Sequence, residues 1–378
     1  MISSRYLRNF DYVLLAVVII LIIFGIMMIA SATRDVASLA DRVRSQILYG
    51  IVGVGVVFVV AAVDYRLLTS TYLWIYGLVV LILAAVGLLG TEGEAGAQSW
   101  LNLGVAGFQP SELAKMLLII VLAQQLANNA DRIERLSTVL ISLAFVSVPV
   151  FFIFIQPDLG ITILVLVVWF VMVWAAGMRW QHILLFVIVA LVLMPIVWSQ
   201  MEDYQRSRIA VFINPESDPD AFFNIDQAMI AIGNGGLLGR GYMQGSQSQL
   251  RYLRVRHTDF IFAVIAEELG FVGAVATLLL IGIVIFRILR AARLAPDMAG
   301  SLLCYGVATV IFFQTLVSIG MNVRLLPVTG LTLPFISSGG SSLVTLLFGI
   351  GLVESVVMRH DPHEVPARIS QPFHSLRA

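Results

Sequence analysis

The chain has 378 residues, of which 59% are hydrophobic and only 12% are charged, and its mean hydropathy is +0.95. A water-soluble fold cannot cover so apolar a chain with polar surface, whereas lipid can act as its solvent. The formal net charge is zero, so the composition does not indicate attraction of the whole molecule to nucleic acid or anionic lipid. We therefore predict an integral membrane protein.

Apolar runs of membrane-spanning length recur along the chain. A helix needs about 20 apolar residues to cross the hydrocarbon core, and these runs lack the alternation that barrel strands require. The first run is too long for a signal-peptide core and is predicted to be a retained span. We expect ten spans, near residues 11–32, 45–63, 71–89, 110–127, 137–155, 159–176, 181–198, 260–287, 299–321 and 335–358.

The predicted fold class is an all-α polytopic membrane protein, a single ten-span domain over residues 1–358 with a polar tail at 359–378. The arginines orient it, because cytoplasmic segments are enriched in them. With the N-terminus inside, twelve arginines are cytoplasmic: Arg5, Arg8, Arg66, Arg132, Arg135, Arg179, Arg287, Arg290, Arg293, Arg359, Arg368 and Arg377. The short outer loops carry four: Arg34, Arg42, Arg44 and Arg324. Both termini are therefore predicted to be cytoplasmic, with outer loops at 90–109 and, between spans 7 and 8, at 199–259.

The fourth predicted span opens with ionisable residues, in the sequence QPSELAK at 109–115. Ionisable groups in a span indicate a functional site by default, and Glu112 and Lys115 share a helix face. Lys115 is the one lysine beside 22 arginines. The alternative is an interfacial capping carboxylate with a snorkelling lysine. A compact ammonium in place of arginine favours a specific contact.

Other carboxylates lie where predicted spans begin. Thr258 or Asp259, after His257, would on residue type alone cap the eighth span. Asp259 nevertheless maps to the outer end of its helix, as Glu112 and Lys115 do, which predicts one outward-facing cavity. Asp158, in QPDLG, either caps the sixth span or faces the same cavity.

The long outer loop supplies cations close to these carboxylates. Such arginines suit phosphate or pyrophosphate, although a solvated basic surface is an equally fair interpretation; they are Arg206, Arg208, Arg251, Arg254 and Arg256. Glu267 and Glu268 lie two turns into the eighth span and about 100° apart, so at most one points where Asp259 points. For the small-residue segment 337–342, close helix packing is favoured over ligand contact.

Several kinds of site are not indicated by the sequence. It contains no P-loop, GxGxxG, HExxH or cysteine–histidine cluster. The single cysteine, Cys304, lies in an apolar run and is predicted to be a packed, inert thiol.

The ordered motifs resemble one family nearly from end to end. They are AQSWLNL, FQPSELAK, QPDLG, YQRSRIAVFINPESDP, IAIGNGGLLGRG, SQSQL, RHTDFIFAVIAEELGFVG and NVRLLPVTGLTLPFISSGGSS. The chain resembles the SEDS family of cell-wall polymerases (shape, elongation, division and sporulation). The stretch around Asp259, together with GSQSQL, favours the cell-elongation branch over the division branch.

This resemblance implies a ten-span fold distantly like that of GT-C glycosyltransferases. It implies polymerisation of lipid II into glycan strands at the outer face of the bacterial plasma membrane, for cell-wall elongation and cell shape. It also implies a class B penicillin-binding protein, and other elongation-complex membrane proteins, as partners. A nucleic-acid partner and a nucleotide or organic cofactor are not expected.

The resemblance also implies roles for single residues. Asp259 corresponds to the catalytic carboxylate, and Glu112 and Lys115 line the same cavity. Further residues are predicted to contact substrate there: Gln109, Ser111, Trp100, Asp158, Arg206, His257 and Thr258. A divalent cation, Mg²⁺ or Mn²⁺, is a further hypothesis, with Glu112 and Asp259 as candidate ligands. The chain departs from the usual family pattern at Ser99 and Ser338, which puts local substrate contacts in doubt.

Two other functions fit parts of this pattern. A lipid II flippase would also use buried charges and broken helices, but it should offer polar groups across the full membrane depth. A non-catalytic scaffold for the penicillin-binding protein would leave the buried lysine and glutamate unexplained.

Overall fold

The computed structural model describes residues 9–34, 39–89, 91–92, 98–102, 107–156, 158–250, 252–253 and 255–360. The predictions for the tail beyond residue 360, and those for Arg251 and Arg254, lie outside the described residues.

The described chain is a helical bundle with short additional elements at one end. Its long apolar helices are α1 (Tyr12–Ala32), α2 (Ala40–Ala62), α4 (Tyr72–Leu89), α5 (Pro110–Ala127), α6 (Leu136–Ile155), α7 (Leu159–Ala175), α8 (Trp180–Gln200), α12 (Ile261–Leu294), α13 (Met298–Asn322) and α14 (Gly340–Met358). The shorter helices are α3 (Tyr65–Ser70), α9 (Asp203–Ile213), α10 (Pro219–Gly235) and α11 (Ser246–Gln249), and three strands are β1 (Thr91–Glu92), β2 (Gln98–Asn102) and β3 (Gly107–Phe108).

Each of the ten predicted spans coincides with one of these long apolar helices, which confirms the predicted fold class. Eight of them are long and apolar enough to cross a membrane, while α4 and α7 are shorter apolar helices. Three boundaries were predicted wrongly. The second span was predicted from residue 45, whereas its helix begins at Ala40. The last span begins at Gly340 rather than at 335, and α12 continues to Leu294 rather than ending near 287. A hydropathy pattern predicts apolar length only. It cannot predict the irregular backbone before Gly340, or the continuation of a helix beyond its apolar part.

Helices α5, α13 and α14 form the centre of the bundle, and most of their residues are buried. Helix α14 packs along α2, and α13 contacts α5, α7, α12 and α14. Helix α8, by contrast, has no buried residue along Trp180–Gln200. Its apolar surface is suited to lipid on every side.

A largely buried ion pair and a backbone hydrogen bond fix one end of the bundle. Arg287 near the end of α12 donates to both carboxylate oxygens of Asp11, at 2.5 and 2.7 Å. Asp11 caps α1, and its backbone N–H donates to Glu354 near the end of α14, at 3.0 Å. The start of α1 and the ends of α12 and α14 therefore meet at one end. The starts of α12 and α14 lie at the other end, which we call the distal end.

The two predicted outer loops lie next to the distal end. In the loop 90–109 the strands form an antiparallel sheet in the order β1-β2-β3, with Thr91 opposite Trp100 and Leu101 opposite Phe108. The loop 199–259 contains α9, α10 and α11, and α10 packs on α12.

Helix α12 is broken at Gly270, which has the left-handed conformation φ 68°, ψ −165°. The loop after α10 fills the break. The backbone N–H groups of Arg240 and Gly241 donate to the backbone carbonyls of Glu267 and Glu268, each at 2.9 Å. In return, the N–H groups of residues 271 and 272 donate to the carbonyls of residues 236 and 237, at 2.9 and 3.1 Å. Two carbonyls and two N–H groups beside the break are thus satisfied, as an apolar environment requires.

Candidate active site

A buried ion pair opens α5 at the distal end. Pro110 occupies the first helical turn, where its missing N–H costs nothing. One turn on, Lys115 Nζ donates to Glu112 Oε2 at 2.5 Å, and the residues are 1% and 5% exposed. Thr345 of α14 donates to the same carboxylate oxygen at 3.3 Å. Lys115 is therefore held inside the bundle by its partner and does not snorkel to an interface.

Gln109 joins this pair to the start of α7. Its side-chain Nε2 donates to Asp158 Oδ2 at 3.0 Å, and its backbone N–H donates to Ser341 Oγ of α14 at 3.2 Å. Asp158 also caps α7, since its Oδ1 accepts the Ile161 N–H at 3.0 Å. The structure confirms the capping role predicted for Asp158, while its place in a substrate cavity stays a prediction.

The electrostatic environment of Asp158 links these groups to a cation of the outer loop. Burial raises the pKa of Asp158 to about 6, against the lowering effect of its hydrogen bond from Ile161. Glu112 raises the pKa further, while Lys115 and Arg208 lower it. Four charged groups are therefore close enough to influence one another at this point.

Asp259 is linked to the same cation. Burial raises the pKa of Asp259 to about 6, and Arg208 and a hydrogen bond with Thr258 lower it. Arg208 also donates from Nη1 to the Val328 carbonyl at 3.4 Å, which fixes it beside the segment between α13 and α14. Arg208 therefore acts electrostatically on both Asp259 and Asp158.

The structure does not bring the predicted Arg206 to this group. Its guanidinium donates to the carbonyls of Trp198 and Ser199, at 3.2 and 2.8 Å, and so satisfies the end of α8. Residues two apart on a helix point in nearly opposite directions, about 200° apart. Arg208 therefore takes the place that was predicted for Arg206. Arg256 caps α1 instead, where its Nε donates to the Ala32 carbonyl.

The backbone before α12 is held by the segment before α14. Ser337 Oγ donates to the Thr258 carbonyl at 2.8 Å, and the Ser338 N–H donates to the His257 carbonyl at 2.9 Å. Gln46 of α2 in turn donates to the Ser337 carbonyl at 3.2 Å. These hydrogen bonds fix the backbone beside Asp259, while the preference for helix packing over ligand contact at 337–342 stays a prediction.

Neither Thr258 nor Asp259 caps α12. The N-cap residue is Phe260, which makes no side-chain capping hydrogen bond. Thr258 Oγ1 donates to the Val255 carbonyl at 3.4 Å. An interpretation of Asp259 as a structural cap is therefore wrong.

Glu267 and Glu268 do not join the Asp259 group; they hold the outer loop. Glu267 accepts from Ser246 Oγ and from the backbone N–H groups of Gln247 and Ser248, at 3.1, 2.8 and 3.3 Å. Glu268 accepts from Ser31 Oγ at 2.5 Å and from the Met243 N–H at 3.1 Å. These buried carboxylates anchor the SQSQL segment.

The remaining predicted residues are placed as follows. Ser111 is 1% exposed, and within the described residues its hydroxyl has no hydrogen-bond partner. His257 is buried beside Thr258 and Asp259. The backbone of Trp100 lies in β2, and its side chain lies outside what the structure describes. Within the described residues, no group of three or more histidine, cysteine or carboxylate side chains can hold a metal ion.

The fold and the site define a polytopic membrane protein whose carboxylates and cations converge at the distal end of the bundle. The family model described as "Cell cycle protein", which covers FtsW, RodA and SpoVE, matches residues 11–361. The chain belongs to this family, as its sequence motifs predicted.

Relatives match over nearly the whole chain. The peptidoglycan glycosyltransferase MrdB of Escherichia coli (strain K12) is 37% identical over 350 residues, which cover 92% of this chain and 93% of MrdB. A probable peptidoglycan glycosyltransferase FtsW of Geobacter sulfurreducens is 34% identical over 365 residues, which cover 94% of this chain and 97% of the relative.

Solved structures share the fold. A chain of a structure described as "Structural coordination of polymerization and crosslinking by a peptidoglycan synthase complex" has a TM-score of 0.81 and 32% identity, and the match covers 93% of this chain and 99% of that one. The rod shape determining protein RodA of Thermus thermophilus has a TM-score of 0.70 and 31% identity, with 93% and 97% covered.

Proposed function

We propose that this protein is a peptidoglycan glycosyltransferase that polymerises lipid II into glycan strands at the outer face of the plasma membrane, for cell-wall elongation and cell shape. The observation that carries the proposal is a carboxyl group, Asp259, poised beside a cation at the distal end of a membrane bundle. The names of the relatives support the reaction class.

The location of the site determines the kind of donor. The arginine distribution supports an outward-facing distal end, and nucleotide sugars are not expected outside the cell. A sugar on a polyprenyl pyrophosphate meets this requirement, because its tail partitions into lipid while its headgroup reaches the distal end of the bundle. Lipid II has this chemistry.

The reaction is an inverting glycosyl transfer. The 4-hydroxyl oxygen of the acceptor GlcNAc attacks the anomeric carbon of the donor, and Asp259 accepts the hydroxyl proton. The bond between that carbon and the pyrophosphate oxygen breaks, and the pyrophosphate leaves with the electron pair. General-base assistance of this kind accelerates a reaction by about 10²–10⁴-fold.

Two cations stabilise the departing pyrophosphate. Arg208, beside Asp259 and Asp158, offers the forked donor geometry that suits phosphate oxygens. Lys115 lies close enough to Asp158 to lower its pKa, and Glu112 holds its ammonium in place. Fixed cations at a developing negative charge typically contribute several kcal/mol, about 10²–10³-fold in rate for one donor.

A divalent cation belongs to this proposal only as a companion of the substrate. The described residues offer no cluster of three ligands, and Glu112 already accepts from both Lys115 and Thr345. Mg²⁺ commonly takes one or two carboxylates and completes its shell with phosphate oxygens and water. A single carboxylate, either Asp259 or Glu112, together with pyrophosphate oxygens and water would suit it in that way.

A crosslinking partner is the second part of the proposal. One similar chain comes from a structure described as a peptidoglycan synthase complex that coordinates polymerization and crosslinking. We infer that this protein likewise works with a class B penicillin-binding protein, together with other membrane proteins of cell elongation.

Purified protein in detergent tests the enzyme against a flippase, because a micelle has no two compartments. We expect glycan polymer from lipid II and Mg²⁺, loss of polymer in Asp259→Asn, and retention in the exposed control Arg132→Ala. Polymer of equal yield from Asp259→Asn would show that this carboxyl is not the base. If the wild type makes no polymer even with its transpeptidase partner, the proposed function is wrong.

A further inference from the structure

Helix α12 begins without a capping side chain of its own. An N-cap side chain normally accepts a hydrogen bond from the second or third N–H of the helix. Here the N-cap is Phe260, which has no acceptor. The third N–H, that of Ala263, is the group that such a cap would satisfy.

Asn322, the last residue of α13, supplies this acceptor from another helix. Its Oδ1 accepts from the Ala263 N–H at 3.1 Å, and the same N–H also donates to the Phe260 carbonyl at 3.1 Å. Its Nδ2 donates to the Asp259 carbonyl at 2.9 Å and to the Ser318 carbonyl at 2.7 Å. Asn322 is 0% exposed, so water cannot replace these bonds.

These bonds affect whether the Asp259 carboxyl caps α12 or remains available for other contacts. The start of a helix attracts carboxylates, through its unpaired N–H groups and its dipole. Asp259 directly precedes the N-cap and is the nearest carboxyl in sequence. With Asn322 in place, the capping position is occupied and the Asp259 backbone is fixed.

We propose that Asn322 is a positioning residue: it caps α12 in trans and thereby keeps the Asp259 carboxyl available to the acceptor hydroxyl. The inference rests on the proposed glycosyltransferase function. It assigns to α13 an indirect part in catalysis, through the position of Asp259.

The test compares two leucine substitutions on the same helix. Asn322→Leu removes both hydrogen-bonding groups and keeps the same branched arrangement of four side-chain heavy atoms. The control is Gln314→Leu, two turns away, where a 0% exposed amide has no hydrogen-bond partner within the described residues. Misplacing a catalytic group by about 1 Å can cost about 10²-fold in rate. We therefore expect kcat to fall about 10²-fold in Asn322→Leu with KM nearly unchanged, while Gln314→Leu retains most activity.

The pH profile separates positioning from general damage. A carboxylate that accepts backbone N–H bonds has a lowered pKa. If Asp259 moves to cap α12, the acidic limb of kcat shifts to lower pH in Asn322→Leu. The other charged groups of the surrounding elements are unchanged by the substitution: Arg208, His257, Asp158, Glu112, Lys115 and Arg324.

A second variant keeps the test decisive if Asn322→Leu fails to fold. Asn322→Asp retains an acceptor for Ala263 and loses the donor to Asp259, so kcat should fall without a downward shift of the acidic limb. The inference is overturned if a folded Asn322→Leu behaves like Gln314→Leu, or if Asn322→Asp has wild-type kcat. An inactive wild type would instead contradict the proposed function.

Discussion

At the scale of single residues, the site is organised around shared charges. Asp259 and Asp158 both have a pKa raised to about 6 by burial, and Arg208 lowers the pKa of both. A general base must be deprotonated to act, so the activity of the wild type should fall as the pH drops through about 6. An ordinary aspartate would not titrate until about pH 4.

Changing the charge of Arg208 should move the acidic limb of the pH profile, the range in which kcat falls as the pH drops. In Arg208→Gln the pKa of Asp259 loses a lowering influence, so the acidic limb of kcat should move to higher pH, in addition to a loss of rate. The control Arg208→Lys keeps the positive charge and should leave the limb close to its wild-type position. Lipid II polymerisation by purified protein across pH 5–8 measures both. A limb at the same pH in all three proteins would mean that Arg208 does not act on the titrating group.

The Glu112–Lys115 pair should be tested by stability as well as by activity. Removing one member of a buried ion pair leaves an uncompensated charge and typically costs about 3–5 kcal/mol, whereas replacing both members with apolar groups can be nearly neutral. Glu112→Leu should therefore lower the Tm in detergent strongly, while the double variant Glu112→Leu with Lys115→Met recovers most of it. All of these variants should lose polymerisation. A double variant that is less stable than the single one would show that the pair itself stabilises the fold.

Residue-level prediction from sequence succeeded where a residue type was anomalous. A lone lysine in a helix start, and a carboxylate at a span boundary, stood out from the composition. Sequence could not choose between Arg206 and Arg208, because the choice depends on the rotation of α9. It missed Asn322 entirely, since an asparagine at a helix end has no sequence signal for a bond to a residue 63 positions away.

At the scale of elements, α12 is two helical pieces joined by an inserted loop. The outer piece, Ile261–Leu269, begins two residues after Asp259 and is buried at nearly every position. Because the break is closed by backbone bonds to residues 236–241, the orientation of this piece depends on that loop. Glu267 and Glu268 add side-chain bonds to the same loop.

Gly239 makes this dependence testable. It has φ +83°, and a Cβ there would lie 2.1 Å from the Glu268 carbonyl oxygen. Gly239→Ala should therefore displace the loop, lower the Tm, and reduce polymerisation; the left-handed conformation alone costs roughly 1–2 kcal/mol for alanine. Gly233→Ala in α10 is the matched control, since nothing lies within 4 Å of its Cβ. Gly233→Ala should be neutral or slightly stabilising. Equal Tm values would contradict the inserted-loop account.

At the scale of the whole molecule, the polar chemistry is divided between the two bundle ends. The end with Asp11, Arg287 and Glu354 holds the helix termini together. The distal end gathers Asp259, Asp158, Glu112 and the cations. An enzyme acting on an extracellular headgroup requires the distal end to face outward.

Single-cysteine labelling checks this orientation. In a Cys304→Ser background, which removes the one native cysteine, Glu216→Cys places an exposed thiol in the long loop and Asp131→Cys places one between α5 and α6. A membrane-impermeant maleimide should label the first in intact spheroplasts and the second only after permeabilisation. The reverse pattern would place the proposed site in the cytoplasm and contradict the mechanism.

The sequence by itself determined the class, the helices and the expected orientation. These follow from composition, apolar length and arginine placement, which are local or additive along the chain and need no knowledge of contacts. It also singled out Glu112, Lys115, Asp158 and Asp259, because an ionisable group beside lipid is costly wherever it lies.

Only the tertiary structure decided how those residues act together. It shows that Arg208, and not Arg206, acts on Asp259. It also shows that Glu267 and Glu268 bind the outer loop and that Asn322 caps α12. The physical reason is that helix rotation, the break at Gly270 and hydrogen bonds across hundreds of positions, such as that from Thr345 to Glu112, arise from packing. No local pattern in the chain encodes which side chains will meet.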